Sequence, residues 1–185
     1  MITLTQYTEK YAKEVYDFVY NTMSEELDVN NSILDMITED LKDIQKNYLD
    51  KNGCFWLALN DETDEVIGTI AIVEIKKGIS QLKRFYVKKE YRHQKIGYKL
   101  YNLAEQYAIV QCFKEIYLVS GKELASAHKF YERNGWKKAN HKKGKIDIFV
   151  RHHANLFRKK LELNIQNEFY ESFVFESNKV YSRVS

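Results

Sequence analysis

With 185 residues, 44% of them hydrophobic and 30% charged, the chain has globular values for one domain, or one with an appendage. A chain of this length buries about two-thirds of its unfolded surface, so it needs no disulfide staples. The net charge of +3 only weakly favours anionic partners, no apolar run approaches a membrane span, and the N-terminus lacks the regions of a signal peptide, so a cytoplasmic protein without membrane contact is expected.

Ile2 to Gln6 alternates and predicts a short strand. Tyr11, Val15, Phe18 and Val19 mark one helical face. Ser32 can cap a second helix with Ile33, Met36, Ile37, Leu41, Ile44 and Tyr48 facing inward. Its acids, Asp35, Glu39, Asp40 and Asp43, read as a solvated face. Cys54 to Asn60 predicts a strand, and residues 61–65 the turn after it. Val66 to Ile75 is nearly all apolar, as expected of a central strand covered on both sides. Gly78 marks the next turn, and Ser80 to Val87 the next strand. Cys54 and Cys112 both lie beside apolar residues and read as buried thiols.

The stretch from Leu82 to Tyr107 organises the chain. It opens as a strand and closes as an amphipathic helix carrying Ile96, Leu100, Leu103, Ala104 and Tyr107. A polar turn from Lys88 to Lys95, then Gly97, joins them. The first N–H groups of a helix have no internal partner and the helix dipole is positive there, which suits an anion. From Lys83 to Lys99 there are seven Lys or Arg and one acid, Glu90, a balance that suits a phosphate. Further on, Glu115 to Ser120 predicts a strand and Leu124 to Asn134 a helix ended by Gly135. Trp136 to Ala139 and Lys145 to Arg151 can pair as a hairpin around Asn140 to Gly144. The lysines of that hairpin lack interleaved aromatics, so they read as a solvated face and not as a nucleic-acid site.

Tyr91-Arg92-His93-Gln94-Lys95-Ile96-Gly97 resembles the acetyl-CoA pyrophosphate loop of the GNAT (Gcn5-related) N-acetyltransferases. Arg92 fits the first position of that loop and Gly97 the last, while Lys95 replaces its first glycine. Ala127-His128-Lys129-Phe130-Tyr131-Glu132-Arg133-Asn134-Gly135-Trp136 resembles a second block of the family. The resemblance covers roughly Ile2 to Arg151. It implies an α/β fold: a mixed, mostly antiparallel sheet of six or seven strands with helices on both faces. Residues 1–151 would form the domain and 152–185 an extension. There Phe157, Leu161, Ile165, Phe169 and Phe173 recur every fourth residue and predict an amphipathic helix. Packing on its own domain and packing across a homodimer both stay open for that helix.

By the same resemblance the chain is an acyltransferase that moves the acetyl group of acetyl-CoA to a primary amine by direct attack in a ternary complex, without a metal. The acceptor could be a small molecule or a peptide. Arg92, His93, Gln94, Lys95, Ile96, Gly97 and Tyr98 would hold the pyrophosphate, and Phe85, Tyr86 and Val87 the pantetheine arm. Tyr131 would serve the leaving thiolate as an acid. The family often places a Glu where this chain has Gln81, so Glu74 is the substitute base, with a water wire as the alternative. A ligand-contacting Asn of the family is Leu124 here, and Ser126 can partly replace it. His128 is expected to be exposed. A CoA-sensing or RNA-binding module that has lost turnover remains the other reading.

Overall fold

A computed structural model describes residues 1–122, 124–139 and 154–161. The strand β1 (Ile2–Gln6) leads into the helix α1 (Ala12–Glu26). The helix expected from Ser32 to Tyr48 is broken into α2 (Asn31–Thr38), a 3-10 turn and α3 (Ile44–Asn47). Its cap is Asn30, whose side chain accepts from the Ile33 N–H at 3.0 Å. Leu34 is buried in place of Ile33, and Met36 is exposed.

The strands β2 (Cys54–Asn60), β3 (Glu65–Lys76) and β4 (Ile79–Val87) form an antiparallel meander. The helix α4 (Ile96–Val110) returns to β5 (Glu115–Gly121), which pairs in parallel with β4. The helix α5 (Ala125–Arg133) follows, then β6 (Lys137–Ala139) and β7 (Ala154–Lys160). Among the described residues seven strands stand in the order β1-β2-β3-β4-β5-β7-β6. Every pair is antiparallel except β4–β5, so the sheet is mixed and mostly antiparallel, as expected.

Two cores sandwich the sheet. On one face α4 and α5 pack Leu100, Tyr101, Ala104 and Tyr131 against Ile70, Ile72 and Leu118. On the other α1, α2 and α3 pack Val15, Phe18, Leu34 and Ile44 against Phe55, Leu57 and Ala71. Eight consecutive residues of β3, Val66 to Val73, are buried, as its unbroken apolar run requires. Cys54 is buried, and its thiol is pushed up to about 12 by that burial. Cys112 is exposed, contrary to expectation, because it sits at the end of α4 with φ +56°.

The stripe that begins at Phe157 predicts a helix, and the structure corrects this. Residues 154–160 form β7, which pairs with β5 from Glu115 opposite Lys160 to Gly121 opposite Ala154. Without β7, the outer edge of β5 would leave its backbone groups unpaired. Phe157 is fully buried and faces the rings of Tyr131 and His128 at 5.6 and 5.2 Å. The sheet therefore continues past Arg151, where the sequence reading ends the domain. The strand β6 pairs with β7, from Lys137 opposite Arg158 to Ala139 opposite Leu156. Lys145 to Arg151, Ile165, Phe169 and Phe173 lie outside the described residues.

Candidate acyl-transfer cleft

The cleft exists because β4 and β5 part company. Their ladder runs from Ile79 opposite Glu115 to Leu82 opposite Leu118 and stops there. Just beyond, β4 bulges: Lys83 faces Ala71 and Tyr86 faces Thr69, so Arg84 and Phe85 together oppose Ile70. Arg84 takes φ +55°, a conformation that usually selects glycine and costs an L-residue about 1–2 kcal/mol. The Thr69 hydroxyl clamps the bulge by donating to the Arg84 carbonyl at 2.7 Å. While β4 turns aside, β5 runs on beside β7, and the gap opens into a cleft of about 1490 Å³. Phe85, Tyr86 and Val87 line one wall. Val119, Ser120, Gly121 and the start of α5 line the other.

The basic turn closes one end. Arg92 and His93 line the cleft there, and the Arg92 Nε donates to the Val87 carbonyl at 3.0 Å. The first backbone bond of α4 runs from the Lys99 N–H to the Lys95 carbonyl, so the amides of Ile96, Gly97 and Tyr98 have no helical acceptor. His93 and Lys95 have φ +66° and +62°. The left-handed turn explains why a glycine would be favoured at Lys95. A Cβ added to Gly97 would meet the Phe85 ring at 3.4 Å and a Val87 methyl at 3.7 Å. Both are ordinary van der Waals distances, so the side of Gly97 where a Cβ would stand faces β4 without a clash. In this state the turn is tied to the end of α1: Arg92 pairs with Glu26, and Lys89 with Glu25 at 2.8 Å.

The opposite end is built from side chains. Arg84 is buried and pairs with Asp40, and its guanidinium also donates to the Ile37 carbonyl. Its Nε donates to the Tyr48 hydroxyl at 3.0 Å, and that hydroxyl donates to Asp40 at 2.7 Å. Lys83 pairs with the second oxygen of the same carboxylate. Burial alone would raise the Asp40 carboxyl, but the Arg84 and Lys83 charges overrule it and hold it below the usual carboxylate range. Asp40 is therefore no solvated helix position. Glu26, Leu27, Asp28, Val29, Met36 and Ile37 complete this wall, from the end of α1 through the following loop to α2.

Tyr131 lies in the cleft on α5, with its ring among Phe85, Trp136 and Phe157. Burial pushes its hydroxyl well above the usual tyrosine range, so it keeps its proton. Ser126 and Leu124 also line the cleft. Glu74 does not. It sits at the hairpin end of β3, where its carboxylate accepts from the Asn52 side chain at 3.0 Å and the Gly78 N–H at 2.8 Å. Those hydrogen bonds lower its pKa, which makes it a weaker base still. His128 is buried against Phe157, and its Nε2 has no hydrogen-bond partner among the described residues. The exposed position expected for it is thus corrected. Lys83, Arg84 and Asp40 are cleft residues that sequence reasoning missed; the signal was two adjacent cations within a strand.

The match of residues 16–136 to the acetyltransferase (GNAT) family model places the chain in that family. It is 32% identical over 116 residues to N-acetyltransferase family 8 member 2 of Rattus norvegicus, covering 60% of this chain and 50% of that protein. To the probable N-acetyltransferase camello of Xenopus tropicalis it is 31% identical over 106 residues, 56% of this chain and 48% of that one. The chain spans about half the length of these curated relatives. A GNAT acetyltransferase structure from Staphylococcus aureus superposes with a TM-score of 0.76 at 27% identity, over 88% of this chain and all of the other. The PaiA N-acetyltransferase of Thermoplasma acidophilum, solved with coenzyme A, shares the fold at a TM-score of 0.67 and 18% identity, over 87% of this chain and 99% of that one.

Proposed function

We propose that this chain transfers the acetyl group of acetyl-CoA to a primary amine by direct attack in a ternary complex. The observation that carries this reading is the cleft itself: one continuous space joins Arg92 and His93 of the turn before α4, the open edge of β4 and Tyr131. The coenzyme A held by a protein of the same fold supports the cofactor, and the names of the curated relatives support the reaction.

The pyrophosphate takes the amides of Ile96 to Tyr98, with Arg92 beside them. The pantetheine arm follows Phe85 to Val87, an edge that β5 leaves open. The amine enters from the α1–α2 side. Its nitrogen forms a bond to the acetyl carbon, the carbon–sulfur bond breaks, and the sulfur takes the electron pair. Tyr131 supplies the thiolate with a proton. With Glu74 outside the cleft, the proton lost by the amine passes to water in the open mouth.

Thiol release from acetyl-CoA, followed with a panel of small amines, amino acids and peptides, tests the reading. Amine-dependent release is expected. Binding of acetyl-CoA without release for any acceptor class would mark the chain as a CoA-binding module.

A further inference from the structure

The path assigned to acetyl-CoA ends at a lysine. The turn touches β4 at Val87, where Arg92 reaches its carbonyl, and β4 rejoins β5 at Leu82. Between them lie four residues of open edge, and Leu82 to Val87 spans about 17 Å of strand for the arm to follow. Lys83 stands at the closed end. Among the described residues four lysines line the cleft: Lys42, Lys46 and Lys89 are exposed, whereas the Lys83 side chain is only 29% exposed. Its Nζ pairs with Asp40 and lies 5.3 Å from the centre of the Tyr48 ring. It projects toward the wall from which an acceptor would enter, so its amine occupies the place of an acceptor ammonium.

Resting on the acetyl-CoA reading above, we propose that Lys83 is a self-acetylation site, modified in the cleft when acetyl-CoA is bound and no acceptor is present. The Nζ lone pair attacks the thioester carbonyl carbon. A carbon–nitrogen bond forms, the carbon–sulfur bond breaks with its electrons on sulfur, and the nitrogen's proton passes to water or to the thiolate. The products are an amide on Lys83 and free CoA, so no other reactant is needed. The attacking amine must be neutral. Burial lowers the Lys83 pKa and the neighbouring Arg84 charge adds to this, against the pull of Asp40. Once acetylated, Lys83 carries no charge and fills the acceptor end, so the step limits itself to one turnover. Asp40 keeps Arg84 and Tyr48 as partners.

The test incubates the full chain with acetyl-CoA alone and follows each lysine by intact mass and peptide mapping, beside calorimetry of acetyl-CoA binding. Lys83 is expected to take one acetyl group about ten-fold faster, or more, than Lys42, Lys46 or Lys89, because the cleft holds the thioester next to it. Excess CoA should suppress the fast labelling, and Lys83→Arg should remove it. Binding of acetyl-CoA with Lys83 labelled no faster than the exposed lysines overturns the inference and leaves the proposed function standing. Absence of acetyl-CoA binding overturns both.

Discussion

The two ends of the cleft are made of different material. The turn end is backbone: amides of a helix start, two left-handed residues and a glycine facing β4. The opposite end is side chain: Arg84, Asp40, Tyr48 and Lys83, brought together from β4, the 3-10 turn after α2 and the residue that ends α3. A backbone site is specified locally, by turn chemistry and a helix start. A side-chain site depends on long-range packing, since Asp40 and Arg84 are 44 residues apart. The first kind tolerates most substitutions nearby, and the second fails when one partner is lost.

Asp40→Asn breaks that comparison hardest. It leaves the buried Arg84 guanidinium without its counter-charge, and a broken buried pair costs roughly 3 kcal/mol or more. Thermal melting should fall by roughly 6–12 °C for a chain of this size. The loss depends on pH. The Asp40 carboxyl is depressed in the folded chain, so its contribution is complete well above its unfolded value of about 4 and is lost as pH falls through the folded one. The gap in melting temperature between parent and variant should therefore close in acid. An equal gap at neutral and acid pH would show that the carboxylate charge is idle.

Tyr131→Phe comes next. It keeps the ring among Phe85, Trp136 and Phe157 and removes only the hydroxyl. Turnover should fall by about 10²-fold, the low end of the usual range for a positioned acid, because a CoA thiolate leaves readily. KM for acetyl-CoA should stay level and the loss appear in kcat. Turnover at the parent's rate would make Tyr131 a packing residue.

Smaller effects belong to the turn. Glu26→Gln frees Arg92 from a carboxylate that competes with the pyrophosphate. Acetyl-CoA should bind up to about five-fold more tightly at low salt, the scale of a surface pair of about 1 kcal/mol. Weaker binding would mean that Glu26 serves to aim Arg92. Lys95→Gly relieves the left-handed strain at φ +62° but adds freedom to the unfolded chain. A gain of about 0.5 kcal/mol in urea unfolding is expected, and a clear loss would show that the Lys95 side chain holds the turn.

This division also decides what could be read from the sequence. The meander, the turn and the α5 block were legible because each is written in adjacent residues: an apolar run for β3, a basic turn before α4, and Gly135 at φ +81° after α5. Two features of the turn were not. Lys95 takes φ +62°, and the side of Gly97 where a Cβ would stand faces Phe85 and Val87. Glu74 was chosen for its place near the end of a strand, but the hairpin's own amide at Gly78 claims it. Asp40 looked solvated because its partner lies on a distant strand. Residues 154–160 carry Phe157, the first member of a helical stripe, yet the open edge of β5 takes them as a strand, so tertiary pairing overrides the local pattern.

The central claim is that acetyl-CoA lies along the open edge of β4 with its pyrophosphate on the α4 turn. Amide hydrogen exchange with and without acetyl-CoA tests it most directly, because the proposed contacts are largely backbone. Exchange should slow at His93 to Tyr98 and at Phe85 to Val87, and hardly change along β1 and β2. Saturable binding that protects other segments and leaves both of these untouched would contradict the account.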